Sequence, residues 1–143
     1  MGPTIASDCA GSDEVEEVLL VDIDAERLNR ATAKLGNPPK VKTLIQDVTD
    51  RQGLAKALKG YDVTGIALLR WLNVEAMWGA IEAGTDVVDL SGPAQKDWPE
   101  IDAAAKRAGV AVVPGCGVEP GLTEMLAAYG MDLLDRVDTV DIW

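Results

Sequence analysis

Short apolar runs, separated by helical patterns that stop on glycine, constrain this chain more than any other feature. Val18–Val21, Val41–Ile45, Val63–Leu69, Asp86–Leu90 and Val110–Val113 read as strands. Val18–Val21 has no polar alternation, as in a strand covered on both faces. Helical patterns lie between the runs. One spans Ala25–Leu35, one leads from Thr49 or Asp50 to Leu58, one starts at Asn73 and one near Asp97; they stop at Gly36, Gly60, Gly84 and Gly109. Glycine suits that place because a helix commonly ends on a left-handed residue. Asp24 and Asn73 are predicted N-caps. Leu28, Ala31 and Leu35 form one inward stripe, and Val74, Met77, Trp78 and Ile81 another. A short helix over Pro3–Ala10 comes first, with Ile5 and Cys9 on one buried face. A helix over about Leu122–Leu134 and a strand over Val137–Trp143 come last. Strands alternating with helices predict an α/β fold with a doubly wound parallel sheet.

The chain has 143 residues, enough for one domain with a real core. Its net charge of −11 repels nucleic acid and anionic membranes, so neither is an expected partner. No apolar run approaches the roughly 20 residues needed to span a bilayer, and no secretory signal pattern is seen, so the cytoplasm is the default location. There is no histidine, which removes a Ser-His-Asp triad, a Cys-His pair and a His-ligated metal. Cys9 and Cys116 belong to no C-x-x-C pair, so no metal site or disulfide is expected.

The N-terminal stretch points to a ligand. Gly2 precedes Asp22 by 20 residues, the separation between the last glycine of a dinucleotide fingerprint and the acid on the ribose 2′-hydroxyl. A full fingerprint starts with a strand and two earlier glycines, which are absent. The chain therefore reads as a Rossmann-like doubly wound parallel sheet lacking its first strand. In the strand order 3-2-1-4-5-6 that strand is central, so its absence leaves two edges facing a gap.

Ligands of such sheets sit at the carboxyl ends of the strands. Those ends supply the candidate cofactor-binding residues: Gly2, Asp22 and Ile23, Asp47 and Val48, Leu68 and Leu69, Asn73, Asp89 and Ser91, Gly115 and Gly117. A carboxylate at Asp22 accepts ribose hydroxyls and repels a 2′-phosphate, which favours NAD over NADP, with Arg27 close enough in sequence to soften that preference. Asp89, Cys116 and Glu119 are the candidate catalytic residues, because a proton relay needs an acid whose pKa burial can shift.

The runs Leu72–Met77, Ala80–Gly84, Val87–Gly92, Ala108–Val110 and above all Gly115-Cys116-Gly117-Val118-Glu119-Pro120-Gly121-Leu122 resemble the saccharopine dehydrogenase-like family. Met1-Gly2-Pro3 is similar to the end of that family's G-x-G-x-M-G motif. The resemblance implies an NAD(P)-dependent oxidoreductase, with NAD or NADP as cofactor, acting at a carbon–nitrogen bond of an amino acid, as in lysine metabolism. It also implies a homodimer built through a second α/β domain. On this reading residues 1–135 are the cofactor domain, incomplete at its N-terminus, and 136–143 begin a substrate domain whose remainder is absent. Such a chain alone is not expected to catalyse. The bulky Leu69-Arg70-Trp71 departs from the small residues or proline usual in relatives.

Two other readings compete. A short-chain-type nucleotide-sugar epimerase or reductase is hinted at by Asp47-Val48-Thr49-Asp50, but neither Tyr61 nor Tyr129 has a lysine four positions on. A non-enzymatic assembly module would use the open sheet edge to recruit a strand.

Overall fold

The computed structural model describes residues 1–142. The chain runs α1 (Gly2–Gly11), β1 (Val18–Asp22), α2 (Ala25–Lys34), β2 (Val41–Ile45), α3 (Arg51–Leu58), β3 (Val63–Ile66), a single 3-10 turn at Arg70–Leu72, α4 (Asn73–Ala83), β4 (Asp86–Asp89), α5 (Trp98–Ala108), β5 (Val112–Val113) and α6 (Leu122–Asp132). Every strand pairing is parallel. The fold is α/β and Rossmann-like, as the alternation predicts.

The sheet is in two pieces. In one, β1 pairs with β2, Val18 opposite Val41 and Asp22 opposite Ile45. In the other the order is β3-β4-β5, with Val63 opposite Asp86 and Val87 opposite Val112. Among the described residues no strand lies between β1 and β3. Helix α1 spans the division, touching both β1 and β3, and buries Ala6. Before the two strands, the Tyr61 hydroxyl donates to Glu17 Oε1 at 2.5 Å, a second tie across the division. Lys40 Nζ donates to the carbonyls of Ser12 (2.6 Å) and Val15 (3.0 Å), fastening the α1–β1 loop to the start of β2.

The core sits on the second piece. Met77, Ala80 and Ile101 are fully buried, with Leu54, Leu58, Ile66, Ile81 and Val87 around them. Fully burying a side chain of the size of Met77 or Ile101 contributes about 1.5–3 kcal/mol. Gly79 lets α3 and α4 approach closely, since a Cβ there would come within 2.8 Å of Leu54 Cδ2. The predicted helix stops hold: Gly36, Gly60, Gly84 and Gly109 all have positive φ.

Several expectations are corrected. Val18–Val21 is half-exposed throughout, not covered on both faces, because the place beside β1 on the β3 side is open. Strand β3 stops at Ile66 instead of Leu69: its last ladder bond is Leu90 N to Ile66 O, and Leu69 then starts the 3-10 turn. Strand β5 is only Val112–Val113, because the amides of Val110 and Ala111 are taken by the Ala105 carbonyl and by Asp86 Oδ1. Residues 137–142 form no strand, having none to pair with among the described residues, and Trp143 lies outside them. Ile5 and Cys9 are half-buried, leaving Ala6 as the buried residue of α1. Asn73 does not cap α4; it is the first residue inside it, and its side chain points elsewhere.

Candidate functional site

The predicted site residues fall into two groups, one on each piece of the sheet. The first stands at the carboxyl ends of β1 and β2. Asp22 ends β1, and its Oδ1 accepts from the Asp24 amide at 2.9 Å and faces Arg27 Nη2 at 3.3 Å. Asp24 caps α2 by accepting from the amides of Glu26 (2.8 Å) and Arg27 (3.1 Å), and its other oxygen faces Arg27 Nε at 3.2 Å. The Arg27 amide in particular, then the Glu26 amide and the guanidinium, hold the Asp24 carboxyl below its usual range. Asp22 is therefore not a bare carboxylate, since a guanidinium lies against it. Ile23 beside it is exposed.

At the end of β2, Asp47 Oδ1 accepts from both the amide (2.9 Å) and the hydroxyl (2.7 Å) of Thr49, which lowers its pKa. Its visible work is to shape the turn into α3, while Val48 packs against the core. Gly2 is the first residue of α1, and a Cβ there would meet nothing within 4 Å.

The second group surrounds the end of β4. Asp89 is 1% exposed, yet carries a carboxyl group. Its Oδ2 accepts from the Gly92 amide and from Asn73 Nδ2, the latter at 3.2 Å. Asn73 Nδ2 also donates to Ser91 Oγ at 2.5 Å. The other oxygens, Asp89 Oδ1 and Asn73 Oδ1, are buried without a partner among the described residues. Burial pushes the Asp89 carboxyl up, against the opposing pull of the Gly92, Ser91 and Leu90 amides and of Asn73.

The loop after β5 folds back on this network. The Cys116 amide donates to the Asp89 carbonyl at 2.9 Å, and a Cβ on Gly117 would run into the Leu90 carbonyl oxygen. Only glycine allows that approach. The Cys116 thiol is exposed, with Sγ 3.7 Å from the Val113 carbonyl. Gly115 has φ +74° and turns the chain after Pro114, while Glu119 is exposed on the loop's outer side. Leu68 packs on the core, and Leu69 and Trp71 project outward.

A cleft of about 440 Å³ opens in front of this group, lined among others by Arg70, Ser91, Gly92, Gln95, Trp98 and Pro114. The structure thus brings together Asn73, Asp89, Ser91, Gly115 and Gly117. Arg70, Gln95 and Trp98 are added to them. Arg70 was legible as a departure at the end of β3; Gln95 and Trp98 carry no spacing signal, and only the path of the β4–α5 loop brings them there. Among the described residues no group of three His, Cys, Asp or Glu could hold a metal ion, and no helix is long and apolar enough to cross a membrane.

Parallel strands around an open centre, flanked by helices, with acids and glycines at the carboxyl ends, define a Rossmann-type nucleotide-binding domain. The sequence matches the saccharopine dehydrogenase NADP binding domain family over residues 1–113, and the chain belongs to that family. It is 26% identical to a carboxyaminopropylagmatine dehydrogenase from Synechocystis sp., over 99% of this chain and 39% of that protein. It is 28% identical to the saccharopine dehydrogenase [NADP(+), L-glutamate-forming] of Schizosaccharomyces pombe, over 75% of this chain and 24% of that protein. Its fold superposes on apo saccharopine dehydrogenase (L-Glu forming) from Saccharomyces cerevisiae with a TM-score of 0.77 at 24% identity, over 94% of this chain and 29% of that one. The chain therefore spans well under half the length of these relatives.

Proposed function

We propose that this chain is the cofactor domain of an NADP-dependent oxidoreductase that moves a hydride at a carbon–nitrogen bond of an amino acid. The observation that carries the proposal is the family match over residues 1–113. The relatives named above are dehydrogenases, one of them NADP-dependent by name. When bound, the nicotinamide supplies the hydride acceptor or donor.

The residues present fit part of such a cofactor. Arg27, held by Asp22 and Asp24 at the end of β1, presents a guanidinium where the adenosine ribose of a Rossmann ligand lies. A 2′-phosphate would take Arg27 over from the two carboxylates. The family is described as NADP-binding, and the preference for NAD drawn from Asp22 gives way to NADP on that ground. On the other piece of the sheet, Ser91, Gly115 and Gly117 line the nicotinamide side, with Asp89 fixing their loop. Gly2 is the one fingerprint glycine present. The open place between β1 and β3 is assigned to a further strand carrying the others, and 136–143 to the start of a substrate domain.

The test is a titration with NADPH and NADH, read by tryptophan fluorescence, on this chain and on a version extended by a strand and Gly-x-Gly-x ahead of Met1. NADPH is expected to bind the extended form at least ~10-fold more tightly than NADH, and Arg27→Ala to abolish that difference by removing a charged hydrogen bond. Absence of binding in both forms would overturn the cofactor reading. It would favour an assembly module instead, a reading supported by α6, on which Met125, Leu126 and Tyr129 are all exposed and no residue is buried.

A further inference from the structure

The cleft at the carboxyl end of β4 is lined by hydrogen-bond donors and apolar walls, with no acidic side chain among the described lining residues. In a chain of net charge −11 that selection is unusual. Arg70 brings the guanidinium and, among the described residues, enters no ion pair. Ser91 faces the same space, and the state of its hydroxyl is fixed from behind. Because Asn73 Nδ2 donates to Ser91 Oγ, the Ser91 proton is left to donate outward. The Gly92 amide is not among the free donors of the cleft, because it donates to Asp89 Oδ2. Trp98, Pro93 and Pro114 supply walls suited to a carbon chain.

We propose that Arg70 and Ser91 seat a carboxylate of the substrate. The planar guanidinium fork matches the two oxygens of a carboxylate, and the Ser91 hydroxyl adds a third donor. The buried Asn73–Asp89 pair acts as the positioning element that aims Ser91. A pyrophosphate would offer the same anionic oxygens, but it brings no carbon chain for the walls formed by Trp98, Pro93 and Pro114. This assignment rests on the amino-acid substrate proposed above and extends it to named contacts.

The test needs no cofactor, so its result is independent of whether NADPH binds. The chain labelled with ¹⁵N is titrated with glutarate, with glutaramide as the neutral analogue and with inorganic pyrophosphate. Glutarate is expected to shift the Ser91 and Gly92 amides and the Trp98 indole N–H in a saturable way, while glutaramide leaves them in place. Arg70→Gln is expected to weaken glutarate at least ~10-fold. Arg70→Lys, which keeps the charge but loses the fork, should recover only part of that. Arg70 is exposed, so spectra of both variants should match the parent away from the cleft. Saturable pyrophosphate binding through Arg70 without glutarate binding would overturn the carboxylate assignment in favour of the cofactor's phosphates. Absence of any Arg70-dependent anion binding would overturn it altogether.

Discussion

Replacing Asp89 with asparagine should stabilise the protein at neutral pH, although it removes a hydrogen-bonded acid from a candidate site. The carboxyl is 1% exposed and only Oδ2 has partners; Oδ1 and the nearby Asn73 Oδ1 are left without any. Each unsatisfied buried polar atom costs about 1–3 kcal/mol. Asparagine keeps one oxygen for the Gly92 amide and Asn73 Nδ2, and removes the charge that burial disfavours. The expected gain at pH 7 is about 1–2 kcal/mol for one buried group relieved of its charge, or roughly 3–8 °C in Tm for a chain of this size. The pH dependence follows from the direction of the shift. Burial raises the Asp89 pKa in the folded state above its ordinary value of 3.8. Between those two values the folded protein holds more protons than the unfolded chain, so parent stability falls as pH rises through the window. Below it the carboxyl is protonated in both states and the cost is gone. Urea melts followed by circular dichroism at several values from pH 3 to 8 should therefore show Asp89→Asn ahead at pH 7 and level with the parent near pH 3. A variant less stable than the parent at pH 7 would refute the reasoning, as would a difference that does not change with pH. Either would mean that the ionised carboxylate is satisfied where it stands.

Two other measurements probe the frame around the site. Met77 is completely buried at the centre of the core, so Met77→Ala should cost about 2–5 kcal/mol in the same urea melts; a cost below about 1 kcal/mol would show that α4 collapses onto the space. The Tyr61 phenol, hydrogen-bonded to Glu17 across the divided sheet, is pushed up to about 12 chiefly by that bond. An ultraviolet titration should find one tyrosine ionising near there, and Glu17→Gln should bring it down; an unchanged titration would mean the tie is not made in solution.

How much could be read from the sequence depended on whether the deciding contact was local. Helix boundaries were legible because glycines such as Gly84 and Gly109 adopt backbone angles that other residues avoid, and because Asp24 reaches amides two and three residues on. The parallel order and the opening beside β1 followed from the alternation and from a single glycine placed 20 residues before Asp22. What failed was set by distant partners. Asn73 has the chemistry of a helix cap, yet its amide goes to Asp89 and Ser91, 16 and 18 residues on. Val63–Leu69 looks like one strand, but its ladder partner turns away after Asp89. Val137–Trp143 has strand propensity, but 137–142 has nothing to pair with among the described residues. At the site, Asp89 and Ser91 were visible as strand-end residues, while Gln95 and Trp98 were not. No local pattern announces where a connecting loop will lie. The guanidinium against Asp22 was foreseen only as a nearby arginine, and the contact itself weakens the argument for NAD.

The division of the sheet also bears on cooperativity. The β1–α2–β2 unit contributes only Leu28 and Ala31 to the buried residues, whereas the larger unit holds nearly all the rest. The smaller unit is joined to the larger through α1, the Tyr61–Glu17 bond and the packing of Val21 on the main core, few enough contacts that it is expected to open at a lower free-energy cost than global unfolding. The two candidate groups stand on different units. A ligand long enough to touch both would act as a brace as well as a reactant, and its affinity would include the work of holding the two units in one arrangement.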